Sequence, residues 1–255
     1  MNINYIGLQT FVSQELLRIK RVWIQTLVTP WVSALLYILI FGQIVGRRIG
    51  AISGISYIDF VVPGLLMMNV MQSALGHTSS SLYYQRFAKH IEEILTAPLS
   101  YMEIITGYLI GGVARGLIVA AGVYVIALMF TATSVNHIFL FIFYSVSVAL
   151  IFSLIGLLVG LWSEGWEQLY VPQTFVIMPL TFLGGLFTSI HMFPENLQWL
   201  VRLNPFFYFV DGLRYSMVGI SESNQTVGFI LIICLVLALG SLVWYLFKIG
   251  YKIRT

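Results

Sequence analysis

Charge is what this sequence has least of. Of its 255 residues, 9% are Asp, Glu, Lys or Arg, against about 25% in a soluble globular chain. So few charges cannot cover a water-facing surface of normal size. With 59% hydrophobic residues, the chain reads as an integral membrane protein along nearly its whole length. The single cysteine, Cys234, excludes an intrachain disulfide. None of the four lysines (20, 89, 248 and 252) follows a glycine or precedes Ser or Thr, so a phosphate-binding P-loop is absent. The histidines, His77, His90, His137 and His191, stand alone, with no His-Glu-x-x-His spacing or other ligand cluster. Gly-x-Ser-x-Gly is missing too. These absences argue against an intramembrane enzyme and against any nucleotide site in this chain. Most acids fall at the edges of apolar runs, as Asp59, Glu103, Glu164 and Glu167 do. An ion-coupled secondary transporter would keep ionisable groups nearer the bilayer midplane. The net charge of +3 carries no implication of nucleic acid, because in a membrane protein the placement of basic residues is what matters.

What is present is a series of apolar runs, each near the twenty or so residues that a ~30 Å hydrocarbon core requires. They predict six spans, at residues 24–45, 60–82, 104–130, 138–162, 170–190 and 227–247. Residues 1–22 read as an amphipathic interface helix ending in Arg18, Lys20 and Arg21, suited to anionic headgroups, or as an ordinary lead-in. The late basic residues and the lack of a small-residue cleavage site do not fit a signal peptide. Residues 23–255 form the membrane domain. Six spans put eight of the thirteen Lys and Arg residues on the side of the termini. The positive-inside rule then makes that side cytoplasmic, with Arg47 and Arg48 against the trend.

Between the second and third spans, Tyr84, Phe87, Ile91, Ile94 and Leu95 follow the spacing of one helical face. Arg86, Lys89, His90, Glu92 and Glu93 occupy the other sides, and Pro98 ends the run. This predicts a short amphipathic helix over about 84–97, too polar to cross a bilayer and presenting a contact surface to another protein.

Within the spans, Arg115 lies twelve residues beyond Glu103, roughly 18 Å along a helix and so near midplane. It either lines a pathway or anchors helices, with Asn69, Gln72 and Ser73 at comparable depth as hydrogen-bond acceptors. Gly107, Gly111, Gly112 and Gly116, with Gly156 and Gly160, supply small residues that let helices approach closely, at a subunit interface or within one chain. Gly184 and Gly185 predict a break in the fifth span. Residues 191–218, interrupted by Pro194 and Pro205, read as two short helices. Their aromatics fit an interfacial belt better than a ligand site.

The motifs together resemble the ABC-2 family of transporter permeases, close to its bacterial inner-membrane members. The likeness rests on Phe60-Val-Val-Pro-Gly-Leu65, Ile91-Glu-Glu-Ile-Leu-Thr-Ala-Pro98, Gly111-Gly-Val-Ala-Arg-Gly116 and Leu203-Asn-Pro-Phe-Phe-Tyr-Phe-Val-Asp-Gly-Leu-Arg214. It implies an all-α, six-span permease of the type V exporter kind in the bacterial inner membrane, with both termini cytoplasmic. Two copies would pair as a homodimer in the lipid bilayer and work with two copies of a separate ATPase. That partner would bind ATP and magnesium, and this chain no cofactor or metal. The resemblance makes Arg86, Phe87, Lys89, His90, Ile91, Glu92, Glu93, Leu95 and Pro98 the coupling helix. Glu15, Arg18, Lys20 and Arg21 become part of the interface helix. Asn204, Pro205, Asp211 and Arg214 fall in short re-entrant helices on the outer side. The implied cargo is a lipid, a lipid-linked glycan or a hydrophobic drug. The alternative from another class is a stand-alone secondary transporter or channel.

Overall fold

The computed structural model describes residues 4–52, 54–131 and 134–253, without the side chains of Gln43, Ile94 and Leu95. The expectations for the Ile94 and Leu95 side chains and for Arg254 therefore lie outside the described residues. The chain is mostly helical. Five helices are long and apolar enough to cross a membrane: Ile24–Ile49 (α2), Tyr57–Phe87 (α3), Tyr101–Leu128 (α5), Ile138–Trp162 (α6) and Gln225–Ile249 (α10). Helix Tyr5–Arg21 (α1) precedes them and Ile91–Thr96 (α4) joins α3 to α5. A two-residue-per-strand hairpin pairs Ala51–Ile52 (β1) with Ile55–Ser56 (β2) before α3.

Helix α3 is the axis of the molecule, with most of its residues buried against α5, α6 and Pro205–Val218 (α9). The small residues make that packing possible within one chain. A side chain at Gly156 of α6 would stand 2.6 Å from the Leu75 carbonyl oxygen of α3. Gly160 meets Ser79 and Leu82, and Gly116 of α5 meets Val70 and Ala74. The Thr78 hydroxyl donates to the Ser153 carbonyl at 2.9 Å, tying α3 to α6. Two backbones thus approach to a separation that only glycine allows.

Asn4 and Ile253 lie at the same end of the bundle, called the near end below. There Phe11, Ile91, Ile104 and Ile253 share one apolar cluster. Ser100 and Glu103 form a capping box that starts α5. The Asn4 backbone N–H also donates to Glu103 Oε1 at 2.6 Å, so one carboxylate fixes the starts of α1 and α5.

Two expected elements differ. The run expected over 170–190 is helical only from 171 to 183, including Met178–Leu183 (α7). Thirteen residues rise about 20 Å, less than a ~30 Å core. The chain breaks at Gly184 and turns at Gly185, whose φ of +81° favours glycine. Nevertheless the segment connects the two ends of α3. Tyr83 donates to the Glu164 carbonyl at 3.2 Å, while Tyr57 donates to the Phe187 carbonyl at 3.1 Å.

The helix expected over 84–97 is two pieces. Residues 84–87 are the last turn of α3, Ala88 to His90 form a turn with Lys89 at φ +58°, and only 91–96 are a separate helix. The left-handed Lys89 is what breaks the run.

Candidate functional site

The near end combines an exposed face with a buried polar cluster. Helix α1 supplies both because its buried stripe reads Phe11, Glu15 and Ile19, with a carboxylate in the middle. The Phe11 ring fills the space at Gly107 and packs edge-on to Tyr108, ring centres 4.9 Å apart. One turn on, Glu15 is 2% exposed. Its Oε2 lies 2.9 Å from His77 Nε2, and the Ser81 hydroxyl donates to it at 2.7 and 2.9 Å. His77 and Ser81 are one helical turn apart on α3, so they present two polar groups to one acceptor. Gly111 makes room: a Cβ there would stand 2.7 Å from His77 Nε2 and 2.9 Å from the Glu15 Cβ.

Arg18 continues from Glu15, its guanidinium 5.7 Å from the centre of the Tyr84 ring. Burial pulls the Arg18 pKa below its ordinary value, and the Glu15 carboxylate opposes that pull. Lys20 and Arg21 are exposed. Arg115 of α5 lies one turn beyond Gly111, whose Cβ position meets Glu15. Arg115 is the fifteenth of the 28 residues of α5, at the middle of that helix. Helix α1 crosses α5 at Gly107 and Gly111, one turn below Arg115. With 28 residues α5 is about 42 Å long, longer than a ~30 Å core. Arg115 makes no hydrogen bond to Asn69, Gln72 or Ser73. The Asn69 side chain donates to its own helix at Leu65 O (2.8 Å). Arg115 Nε and Gln72 Nε2 are buried without partners among the described residues.

The residues expected to contact an ATPase divide into two groups. Phe87, Lys89, His90, Glu92, Glu93 and Pro98 are exposed, with His90 and Glu93 3.6 Å apart. Ile91 faces the interior. A groove of about 260 Å³ is lined by Asn4, Thr10 and Gln14 of the α1 region and by Glu93, Pro98 and Leu99, with the Asn4 side chain donating to the Pro98 carbonyl at 3.2 Å. Tyr84, Phe87 and Trp166 add exposed aromatic surface, with the Phe87 and Trp166 ring centres 6.3 Å apart.

Arg86, by contrast, is occupied inside the chain. It donates to the carbonyls of Lys252 (2.7 Å), Gly160 (2.6 Å), Leu161 (2.9 Å) and Ser163 (3.2 Å). A guanidinium so placed satisfies the open carbonyls at the end of α6. Lys252 adds a 2.7 Å ion pair to Glu164, and that hydrogen bond holds the exposed Glu164 carboxyl below its ordinary pKa.

The far end is closed by charge. Gln198–Leu203 (α8) leads to α9, whose start is set by Pro205 and by Asn204, which accepts from Phe206 N at 3.1 Å and donates to Leu180 O at 2.6 Å. Asp211, fully buried, accepts from Ser221 Oγ, Glu222 N, Ser223 N, Ser223 Oγ and Gln225 Nε2 at 2.6–3.3 Å. Arg214 donates to Phe60 O (3.1 Å) and Gly185 O (2.6 Å), and its guanidinium lies 3.7 Å from the centre of the Phe60 ring. Glu222 takes hydrogen bonds from the Ser189 hydroxyl and Ile190 N. Phe206, Phe207 and Phe209 are buried rather than interfacial, two of them edge-on to Phe152 of α6. Trp199 and Leu203 remain exposed.

The pairing of Glu15 with His77 is the feature that sequence reading missed. The signal was there: Glu15 falls at i+4 from Phe11 and i−4 from Ile19, on the stripe that must be buried. His77 gave none, because nothing local in the sequence identifies its partner.

Residues 7–218 match the ABC-2 type transporter family. Inner membrane transport permease YadH of Escherichia coli (strain K12) is 38% identical over 256 residues, covering 100% of both chains. Nodulation protein J of Rhizobium meliloti (strain 1021) is 23% identical over 205 residues, 78% of this chain and 77% of the relative. With five apolar helices long enough to cross a membrane, the chain belongs to the ABC-2 type transporter family of membrane permeases.

Proposed function

We propose that this chain is the transmembrane subunit of an ATP-driven exporter, in the inner membrane, with its ATP and magnesium bound by a separate ATPase. The observation that carries this is the exposed face formed by residues 87–98 beside α1, in a family permease whose sequence has no P-loop. The ATPase docks on that face, and its movement is passed to α3 and α5, which the face joins. Two copies of the permease pair, and two ATPases serve them. The segment 171–187 completes a sixth crossing with fewer helical residues than the others. Both termini are cytoplasmic, which the excess of Lys and Arg at the near end favours. The short helices between Gly184 and Val218 then re-enter from the outer side. The cargo moves outward and is a lipid, a lipid-linked glycan or a hydrophobic drug.

The reading is tested in vesicles of purified permease, with and without the ATPase, using a fluorescent lipid or drug as cargo. Flux requiring both ATP and the partner is the expected result. Flux driven by an ion gradient through the permease alone would overturn it.

A further inference from the structure

The end of α6 is capped from outside its own helix. The last four carbonyls of a helix have no partner within it. In α6, Val159 accepts from Ser163 N at 2.9 Å. Arg86 takes Gly160 and Leu161 at 2.6 and 2.9 Å, and the Lys252 side chain takes Trp162 at 3.2 Å. Both caps are cations at the negative end of a helix dipole, where they are favourable. Arg86 belongs to the last turn of α3, and Lys252 to the turn that follows α10. The guanidinium also joins these two directly, because its Nε donates to the Lys252 carbonyl at 2.7 Å. One side chain thus ties together the near ends of three apolar helices.

The place of Arg86 along the chain matters as much as its bonds. It stands one residue before Phe87, where the exposed face over 87–98 begins. Behind that face, Ile91 turns inward and shares an apolar cluster with Ile253, which is 3% exposed. Residues 250–253 are therefore engaged twice from behind the face, by the polar contact of Arg86 and through the cluster of Ile91. That segment has a defined shape. Gly250 and Lys252 are left-handed, at φ +73° and +52°, and a left-handed lysine is uncommon. Its 2.7 Å ion pair with Glu164 fixes Lys252 further. Helix α10 buries only Gly228, Ile232, Val243 and Phe247, so contacts at its near end weigh heavily in where it sits.

We propose that Arg86 carries the movement of the ATPase-docking face into α6 and, through residues 250–253, into α10. Arg86 is then a positioning residue for transport, and the 250–253 segment is the strap that joins α10 to the moving face. This deepens the proposed function and rests on its docking of an ATPase at 87–98. Chain continuity alone would pass such movement to α3 and α5. Hydrogen bonds from Arg86 to carbonyls of two other segments make α6 and α10 move with them. The planar fork of arginine reaches several acceptors at once in a fixed geometry, which the single ammonium of a lysine does not reproduce.

The test uses the full-length permease with its ATPase in phosphatidylcholine vesicles, with Cys234 replaced by alanine throughout. One spin label is placed on the docking face in Thr96→Cys and another on the last turn of α10 in Ile249→Cys, both exposed positions. Their spectra are compared with and without ATP, magnesium and vanadate. With Arg86 present, both labels respond. In R86Q the label at 96 still responds and the response at 249 is lost, and a chain shortened after Tyr251 behaves the same way. R86K keeps the charge without the fork and retains part of the response at 249. An undiminished response at 249 in either R86Q or the shortened chain overturns the proposal. So does a silent label at 249 beside a responding label at 96 in the Arg86 protein, or loss at both positions in both variants. A silent label at 96 in the Arg86 protein would instead overturn the docking of the ATPase, and the proposal with it.

Discussion

At the far end of the bundle Asp211 accepts five hydrogen bonds, Arg214 grips two carbonyls and an aromatic face, and Glu222 closes on Ser189 and Ile190. At the near end Glu15 is saturated, but Arg115 Nε is buried without a hydrogen-bond partner among the described residues. Glu92 and Glu93 stand in solvent, and a groove is lined by α1 and the 93–99 turn. The same residue types therefore do opposite things. Buried charges held by several bonds at once fix one arrangement of the backbone, because breaking any bond leaves an uncompensated group, although Arg214 Nη1 itself makes no hydrogen bond among the described residues and lies 3.8 Å from Asp211 Oδ1. Unsaturated charges and exposed aromatics leave contacts to be made with something outside the chain. The far end is built as a fixed block, and the near end carries the exposed face on which the proposed ATPase would dock.

Substitution at Asp211 tests the first half of that contrast and has the largest expected effect. Asp211→Ala removes the acceptor of five hydrogen bonds and isolates the Arg214 charge, at a cost of ~3–5 kcal/mol. Thermal unfolding of the detergent-solubilised protein should occur roughly 10 °C lower. A shift within one or two degrees would mean that the far end is not the fixed block described.

Glu15→Ala should cost less, ~1.5–3 kcal/mol, because two groups lose a charged acceptor. The unfolding temperature drops by roughly 5 °C, and Glu15→Gln, which keeps an acceptor for Ser81, restores part of it. Equal losses for Ala and Gln would show that the carboxylate charge, not the acceptor, holds α1 in place.

The smallest effect belongs to Glu164, on the exposed surface. Its folded pKa is depressed, so any stabilisation by the Lys252 pair is present above the ordinary carboxylate range and disappears as pH falls through the folded value. Glu164→Gln should lower the unfolding temperature by about 1 °C or less at pH 7. Once the pH has fallen below that folded value the two proteins should become indistinguishable. A larger difference, or one that persists in acid, would give this pair a role beyond a surface contact.

Much of this architecture is legible in the sequence because membrane spans depend on run length and composition. The long apolar runs mark α2, α3, α5, α6 and α10, and Gly184-Gly185 marks the break after α7. Harder to read are features set by long-range contacts. Arg86 looks like a free cation on a polar face, yet the open carbonyls at the end of α6, more than 70 residues away, take it. The Phe206–Phe209 aromatics suggest an interface from composition, but Phe152 of α6 gives them an interior site. Local periodicity predicts one helix over 84–97, whereas Lys89 turns left-handed.

The central claim is that the exposed near-end face receives an ATPase. It is tested most directly by reversing two charges there, in Glu92→Lys/Glu93→Lys, and measuring how much ATPase co-purifies with the tagged permease. Both side chains are solvent-facing, so membrane insertion and unfolding temperature should not change, while co-purified ATPase falls severalfold. Undiminished co-purification with the double variant would contradict the account.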